Sequence, residues 1–555
     1  MSTASHYVDA GGVPADDGVL APSPGGPTAP VSADSGAPPP GHGPGFAPDS
    51  DMEKGGGSPG NITEHDNGAG QMEELKRAPT VVRGEDEKDR ILVAWEKDDP
   101  ELARNWSRSY RLYMTFLSGI LTLASTFASS APSFTLPSIM RELHSTELVV
   151  KASVFLFVGG YCFAPMIWAP LSDVFGRKVV LAVSMLGFTC FNVGCMLAPN
   201  IGALIVFRLL AGAFGSSPLT VAPSVISSLF TLRYLANGIM FFALAPMSGP
   251  CLGPIVGGYI EDSGASWRWV FRACTCLSFG LFIICVLTMS ETEPNHCLRR
   301  KAQRLRKETG DNRYIAPIEM RNLELGPTVK RVLLEPVILF FKEPMLIAVT
   351  VYISFVYGTL YLLFDAYPVV FIELHHFSFG STGLAFLGYF VGSVAGAVYA
   401  MFIDNPAYNR AVDKLGKQPP PEIRLRPALL GAPLLVISLF WFAWTSFPSV
   451  SFWNPIVAGG LFGMSMYLIF LSLMVYITEV YMFKVASAVA ANTVVRSAFG
   501  VGFPMFGSQM YHNLNPRWAS TVLAFIALVL APIPLILIKF GPKIRAMSKF
   551  AHSEV

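Results

Sequence analysis

The sequence predicts an all-α polytopic membrane protein with twelve transmembrane helices in two pseudo-symmetric six-helix bundles. Three observations predict it. The chain of 555 residues is 52% hydrophobic and only 14% charged, where a soluble domain carries about a quarter charged residues. Apolar stretches recur along it, each long enough at 1.5 Å per residue to cross a hydrocarbon core of about 30 Å. A polar stretch over 290–345 then divides these segments six and six.

The elements follow in chain order. The first 90 residues are rich in Pro, Gly, Ala, Ser and Asp and lack the large apolar side chains needed to form a core. Residues 1–100 are therefore expected to be a disordered cytoplasmic tail. Apolar segments near 111–138, 148–170, 179–197, 201–224, 237–260 and 268–289 make an N-terminal bundle over 101–289. A cytoplasmic linker, 290–345, carries the basic run from Arg299 to Lys307, which is expected to lie on an anionic leaflet or simply in solvent. Segments near 346–372, 381–403, 427–446, 454–476, 485–508 and 519–540 make a C-terminal bundle over 346–540, and 541–555 is a short cytoplasmic tail.

Charge fixes the expected orientation. With the N-terminus inside, the inner loops hold Arg177, Lys178, Arg233, Arg410, Lys414, Lys417, Arg424, Arg426 and Lys484, while the outer loops hold few cations. Lysine and arginine concentrate on the cytoplasmic side, so both termini belong there, and the plasma membrane is the expected location.

Composition also excludes classes of function. The net charge of +2 gives no basic surface for nucleic acid. Eight cysteines lie almost wholly within apolar segments with no CxxC pair, so neither a metal site nor a disulfide framework is expected. No phosphate-cradling Gly-rich Lys-Ser/Thr loop and no cluster of His, Cys or paired carboxylates occurs in the spans. No cofactor, enzyme activity or obligate protein partner is implied. The partners are the bilayer, a small-molecule substrate and protons.

Four constellations carry the chemistry. Leu171-Ser172-Asp173-Val174-Phe175-Gly176-Arg177-Lys178 places charge between two spans. There a carboxylate can accept hydrogen bonds from a helix N-terminus and from arginine, while Gly176 permits a tight turn. In span 5, Gly249, Gly253 and Gly257 recur every four residues beside Gly258, interleaved with Pro246, Pro250 and Pro254. Span 8 repeats the step at Gly388, Gly392 and Gly396. Smooth stripes invite close backbone approach, so the two stripes are expected to pack on each other. Arg208 and Arg496 lie inside spans, where each costs about 2.5–3.5 kcal/mol on insertion scales. They should face a wet interior or tie down carbonyls at bends. Tyr357, Tyr361 and Phe364 share a face of span 7 near Asp365, the deepest carboxylate and the first candidate proton carrier. Asn492 is one turn from Arg496. Trp267-Arg268-Trp269 with Arg272 reads as an interfacial anchor.

The Leu171–Lys178 run resembles the loop between spans 2 and 3 of the major facilitator superfamily, with Ala169 in place of its leading glycine and Val174 where a basic residue is common. Arg208-Leu-Leu-Ala-Gly212 resembles that family's span-4 motif. The Gly/Pro pattern of span 5 resembles its antiporters, and Ser487–Arg496 with Phe503-Pro504 is similar to the fungal twelve-span drug/proton antiporter branch. The resemblance covers roughly 100–550. It implies the major facilitator fold, a cytoplasmic gate at Asp173, Gly176, Arg177, Lys178 and Arg233, and a substrate or proton role for the span-4 arginine. For the Leu171–Lys178 loop it implies Ser487, at the start of span 11, and Arg233 as mates. It also implies export of a drug-like solute or secondary metabolite by alternating access with proton antiport. A dedicated exporter of one metabolite, such as an organic acid or glycolipid, and a nutrient importer are the alternatives.

Overall fold

The computed structural model describes residues 80–83, 89–96, 99–320, 325–416 and 419–548. Eleven helical runs among them are long and apolar enough to cross a membrane. Spans 1–6 are Arg108–Phe134, Glu147–Phe175, Arg177–Met196, Ile201–Leu229, Tyr234–Asp262 and Arg268–Thr288. Spans 7–10 are Pro344–Leu374, Phe379–Leu415, Pro421–Thr445 and Trp453–Val480. The eleventh run, Val485–Met547, holds 63 residues, well over twice the roughly 20–25 that one crossing needs. Asn515, at φ 59° and ψ 153°, breaks it, and Pro516 follows. Residues 485–514 are span 11 and 516–547 are span 12, which completes twelve.

Local chemistry sets several boundaries. Ser107, Asn200 and Ser378 cap spans 1, 4 and 8 by accepting from the N–H groups of Tyr110, Ala203 and Ser381. Gly176, at φ 91°, is the whole turn between spans 2 and 3, a conformation that side-chain-bearing residues adopt at a cost. Span 5 remains helical through Pro246, Pro250 and Pro254.

The two bundles repeat one packing plan. Span 5 packs on span 1, span 4 on span 2 and span 6 on span 3; correspondingly, span 11 packs on span 7, span 10 on span 8 and span 12 on span 9. The halves meet along spans 5 and 8 and along spans 2 and 11. Span 7 lies so centrally that almost all of its residues from Met345 to Tyr367 are buried.

A small sheet stands on the side where the termini enter. β1 (Thr80–Arg83) pairs antiparallel with β2 (Asp89–Leu92), and β2 pairs parallel with β3 (Tyr314–Ile315). Val93, Leu298, Ala302 and Ala316 form its core against the helix Pro294–Thr309. Part of the expected tail is thus folded, because the linker helix supplies the apolar face that the tail lacks; residues 1–79 lie outside the described residues. The basic run is also partly paired with carboxylates of this small unit. Lys301 pairs with Asp99 at 2.6 Å, Arg304 with Glu101, and Arg306 with Glu319 at 2.6 Å. Trp267 departs from the anchor expectation too. It is buried, and its indole N–H donates to Glu142 at 2.6 Å. Trp269 is exposed, with the Arg272 guanidinium 4.3 Å from its ring centroid.

Candidate functional site

On the face opposite the termini, the far side, one ion pair joins the two bundles. Lys151 stands one turn into span 2, and Asp365 lies in the last third of span 7. Lys151 Nζ is 2.5 Å from Asp365 Oδ1, with both side chains more than nine-tenths buried. Glu147, one turn before Lys151 on the same helix, places Oε1 3.1 Å from the same ammonium. Asp365 Oδ2 is buried without a hydrogen-bond partner. It lies against Gly507 of span 11, where a Cβ would overlap it. His512, Glu147 and the Tyr511 phenol are its other electrostatic neighbours. A second far-side link is Asp262 at the end of span 5, whose carboxylate accepts from the N–H groups of Phe379 and Gly380 at 2.9 and 2.8 Å. It caps the first turn of span 8, where the helix dipole favours a negative charge.

The charged turn between spans 2 and 3 is built differently from its expectation. Glu291, just past span 6, accepts from the backbone N–H groups of Arg177 and Lys178 at 2.9 and 3.1 Å. Glu293 pairs with the Arg177 guanidinium at 2.6 Å, and Ser228 and the Thr292 carbonyl accept from the same side chain. The carboxylates of the linker thus take the capping and pairing work assigned to Asp173, which is exposed and has no hydrogen bond or ion pair among the described residues. Burial pushes the Glu293 carboxyl above its usual range, with Arg177 opposing the shift. Ser487 does not meet this turn. Its hydroxyl donates to Glu335 at 2.9 Å, on the linker helix Leu325–Lys342. The side chain of Arg233 lies outside the described residues. On the termini side the bundles are instead linked along spans 5 and 8, where Asn405 Nδ2 donates to Asn237 Oδ1 at 2.5 Å. Nearby, Tyr467 of span 10 donates to the Met240 carbonyl at 2.6 Å.

Spans 5 and 8 do meet, but not through their glycine stripes. A Cβ at Gly249 or Gly253 would sit 2.7 Å from the backbone nitrogen of Phe127 or Ala131, and one at Gly257 would strike the Ala131 carbonyl, all in span 1. Gly388, Gly392 and Gly396 lie instead against Ile456, Gly460 and Met464 of span 10. The stripes serve the tightest contacts within each bundle, where backbones touch. The interface between bundles uses neighbouring positions: Gly258 against Phe379, Gly383 against Pro254 and Ile255, and Tyr389 against Met247.

The two intramembrane arginines divide. Arg208 is fully occupied. Its guanidinium donates to the carbonyls of Ala128 and Val154 at 2.8 Å, Ser129 at 3.2 Å and Ser153 at 3.3 Å, and lies 4.4 Å from the Phe157 ring centroid. It fastens the far-side end of span 1 to span 2. Arg496 is 7% exposed and has no such carbonyl partners among the described residues. Its Cζ lies 5.0 Å from the Tyr357 ring and 5.2 Å from the Phe470 ring. Its Nε is buried without a partner, and no hydrogen bond or ion pair to its guanidinium occurs among the described residues. Asn492, one turn earlier, donates to Thr350 at 3.3 Å and leaves Oδ1 unpartnered.

The aromatic face of span 7 points at the other bundle. Tyr361 shares a 3.0 Å hydrogen bond with Ser129 of span 1, and Phe364 stacks on Phe155 of span 2 with centroids 6.5 Å apart. Tyr357 donates to Tyr361 at 3.4 Å and faces Arg496. From the far side inward, the seam therefore runs from an ion pair through aromatic contacts to a bare guanidinium. Sequence reasoning missed Lys151, Glu291 and Glu293. Lys151 was legible as a lone cation in the first turns of an apolar run, in the bundle opposite the one deep carboxylate. Glu291 and Glu293 stand in Ser290-Glu-Thr-Glu-Pro294, overlooked among the basic residues that follow.

A model of the Major Facilitator Superfamily matches residues 118–503. An MFS-type efflux pump of Trichophyton rubrum is 41% identical over 467 residues, covering 84% of this chain and 78% of its own. A major facilitator superfamily multidrug transporter of Aspergillus fumigatus is 39% identical, covering 84% and 76%. The efflux pump FUBT of Fusarium oxysporum is 37% identical, covering 82% and 76%. Among solved structures, the proton:xylose symporter XylE superposes with a TM-score of 0.57 at 17% identity, over 78% of this chain and 96% of that one.

Proposed function

This chain belongs to the major facilitator superfamily, and from that premise we propose that it exports a drug-like solute or secondary metabolite in exchange for protons. It is a transporter, not an enzyme. The relatives named as efflux pumps and as a multidrug transporter support the direction and the solute class. Lysine and arginine on the termini side support a cytoplasmic placement of that side, in the plasma membrane.

One observation carries the proton coupling: the buried Lys151–Asp365 pair that joins span 2 to span 7. Separating a buried ion pair leaves uncompensated charge in a poor solvent for it. The empty, ionised carrier is therefore held closed on its outer side. A proton on Asp365 removes one charge, and Lys151 keeps Glu147 as its counter-ion. The outer seam can then part with no net charge stranded. A loaded solute has to offset the cost of parting the same contact with its own interactions in the seam. An antiporter has to move with either ligand and stay put with neither, and this lock supplies that condition.

The test uses proteoliposomes with an acidic lumen, which reproduces the outside, and a panel of radiolabelled aromatic solutes. Wild-type protein should concentrate at least one of them, and nigericin, which collapses the pH gradient, should abolish the gain. Asp365→Asn should still exchange solute at equilibrium but should no longer concentrate it. Solute distribution in the wild type that ignores the gradient would favour a uniporter.

A further inference from the structure

We infer that Arg496 is the receptor for an anionic group on the solute, so that the preferred cargo class is the aromatic acids: a carboxylate attached to a flat ring system. The inference rests on the export reading for the direction of movement, and on Arg496 alone for recognition.

Five cations are buried among the described residues: Lys151, Arg177, Arg208, Arg496 and Arg545. Four are compensated. Lys151 has Asp365, Arg177 has Glu293 and Arg545 has Glu422 at 3.1 Å, while Arg208 fills its donors with four carbonyls. Only Arg496 has neither. The phenols of Tyr357, Tyr361 and Tyr161 and the Cys162 thiol are among its electrostatic neighbours, none of them a permanently charged partner. A buried charge is ordinarily paired, so a chain that pairs the other four and leaves this one bare has left a place for an outside partner.

The geometry narrows that partner. A guanidinium presents parallel N–H donors that match the two oxygens of a carboxylate. The rings of Tyr357 and Phe470 wall the group on two sides, which suits a flat aromatic body over a long flexible chain. Asn492 lies on the same face one turn away with Oδ1 unpartnered, an acceptor for a hydroxyl or amide N–H on the solute. The position is also the right one. Arg496 lies toward the middle of span 11, and Cys162 of span 2 reaches the Val494 carbonyl beside it at 3.8 Å. Recognition therefore takes place where the two bundles meet.

The decisive experiment measures binding to the purified full-length transporter in detergent, independently of flux. The probes are salicylate, 1-naphthoate and 9-anthracenecarboxylate, each against its primary amide. At least one acid should bind about tenfold or more tightly than its amide, the difference that a charge-assisted pair supplies. Arg496→Gln should abolish that preference, and Arg496→Lys, which keeps charge without the fork, should weaken it. Equal binding of acid and amide in all three pairs overturns the inference in the wild type alone, whatever the variants do. A preference that persists in Arg496→Gln overturns it as well. Arg496-dependent acid binding without gradient-driven flux would retire the export reading and leave this one standing. Gradient-driven flux with no acid preference would do the reverse.

Discussion

Lys151 is shared between two carboxylates, Asp365 of the opposite bundle at 2.5 Å and Glu147 of its own helix at 3.1 Å. Removing the ammonium alone strands Asp365 in the seam. Lys151→Met should therefore destabilise the detergent-purified protein by about 3–5 kcal/mol, whereas adding Asp365→Leu should restore most of the loss. The double variant should fold yet lose gradient-driven transport. Thermal unfolding and flux measured on the same preparations check both halves.

Cross-linking distinguishes which faces of spans 5 and 8 meet. Cysteines at Asn237 and Asn405, whose side chains touch at 2.5 Å, should join through a short bifunctional thiol reagent in a transporter cut between its bundles. Cysteines at Gly253 and Gly392, which face span 1 and span 10, should not. The opposite pattern would return the glycine stripes to the interface.

Glycine positions differ sharply in tolerance. A Cβ at Gly392 would overlap the Gly460 carbonyl, with Gly460 Cα 2.9 Å away, whereas one at Gly280 meets nothing within 4 Å. Gly392→Ala should cost about 1–3 kcal/mol as backbones are forced apart, and Gly280→Ala should stay within about 0.5 kcal/mol of wild type. Melting temperatures of the two variants give the answer.

The Glu293 carboxyl titrates above its ordinary range because it is buried. Between the ordinary glutamate value of about 4.3 and its raised native value, the folded protein binds more protons than the unfolded chain. The contribution of this group to stability therefore declines as pH rises through that window. Glu293→Gln carries no such group, so its melting temperature relative to wild type should climb with pH across the window. A difference that stays flat would remove Glu293 from the account.

The fold was legible because span length, loop charge and the six-and-six division are properties of the chain itself. Side-chain facing was not. Arg208 and Arg496 look alike in sequence, each an arginine in an apolar helix beside small residues. Their difference depends on which carbonyls the far-side ends of spans 1 and 2 present, and that is decided by packing. The glycine stripes failed as an inter-bundle prediction for a related reason. A four-residue step says that a helix has a smooth face but not which neighbour takes it, and here the partner within the bundle wins. Asp173 is the carboxylate within the turn itself, and its type and place fit the capping role. Glu291, more than a hundred residues later, reaches the same N–H groups because spans 3 and 6 pack together.

Spans 11 and 12 share a joint of a single residue, Asn515. A joint that short leaves no loop to be threaded across the bilayer after its helix has been placed. The far-side ends of the last two spans are thus tied directly to one another, as one helical hairpin. Span 11 carries Arg496 and borders Asp365, so truncation before Pro516 removes the helix tethered directly to the one that holds both ends of the seam together.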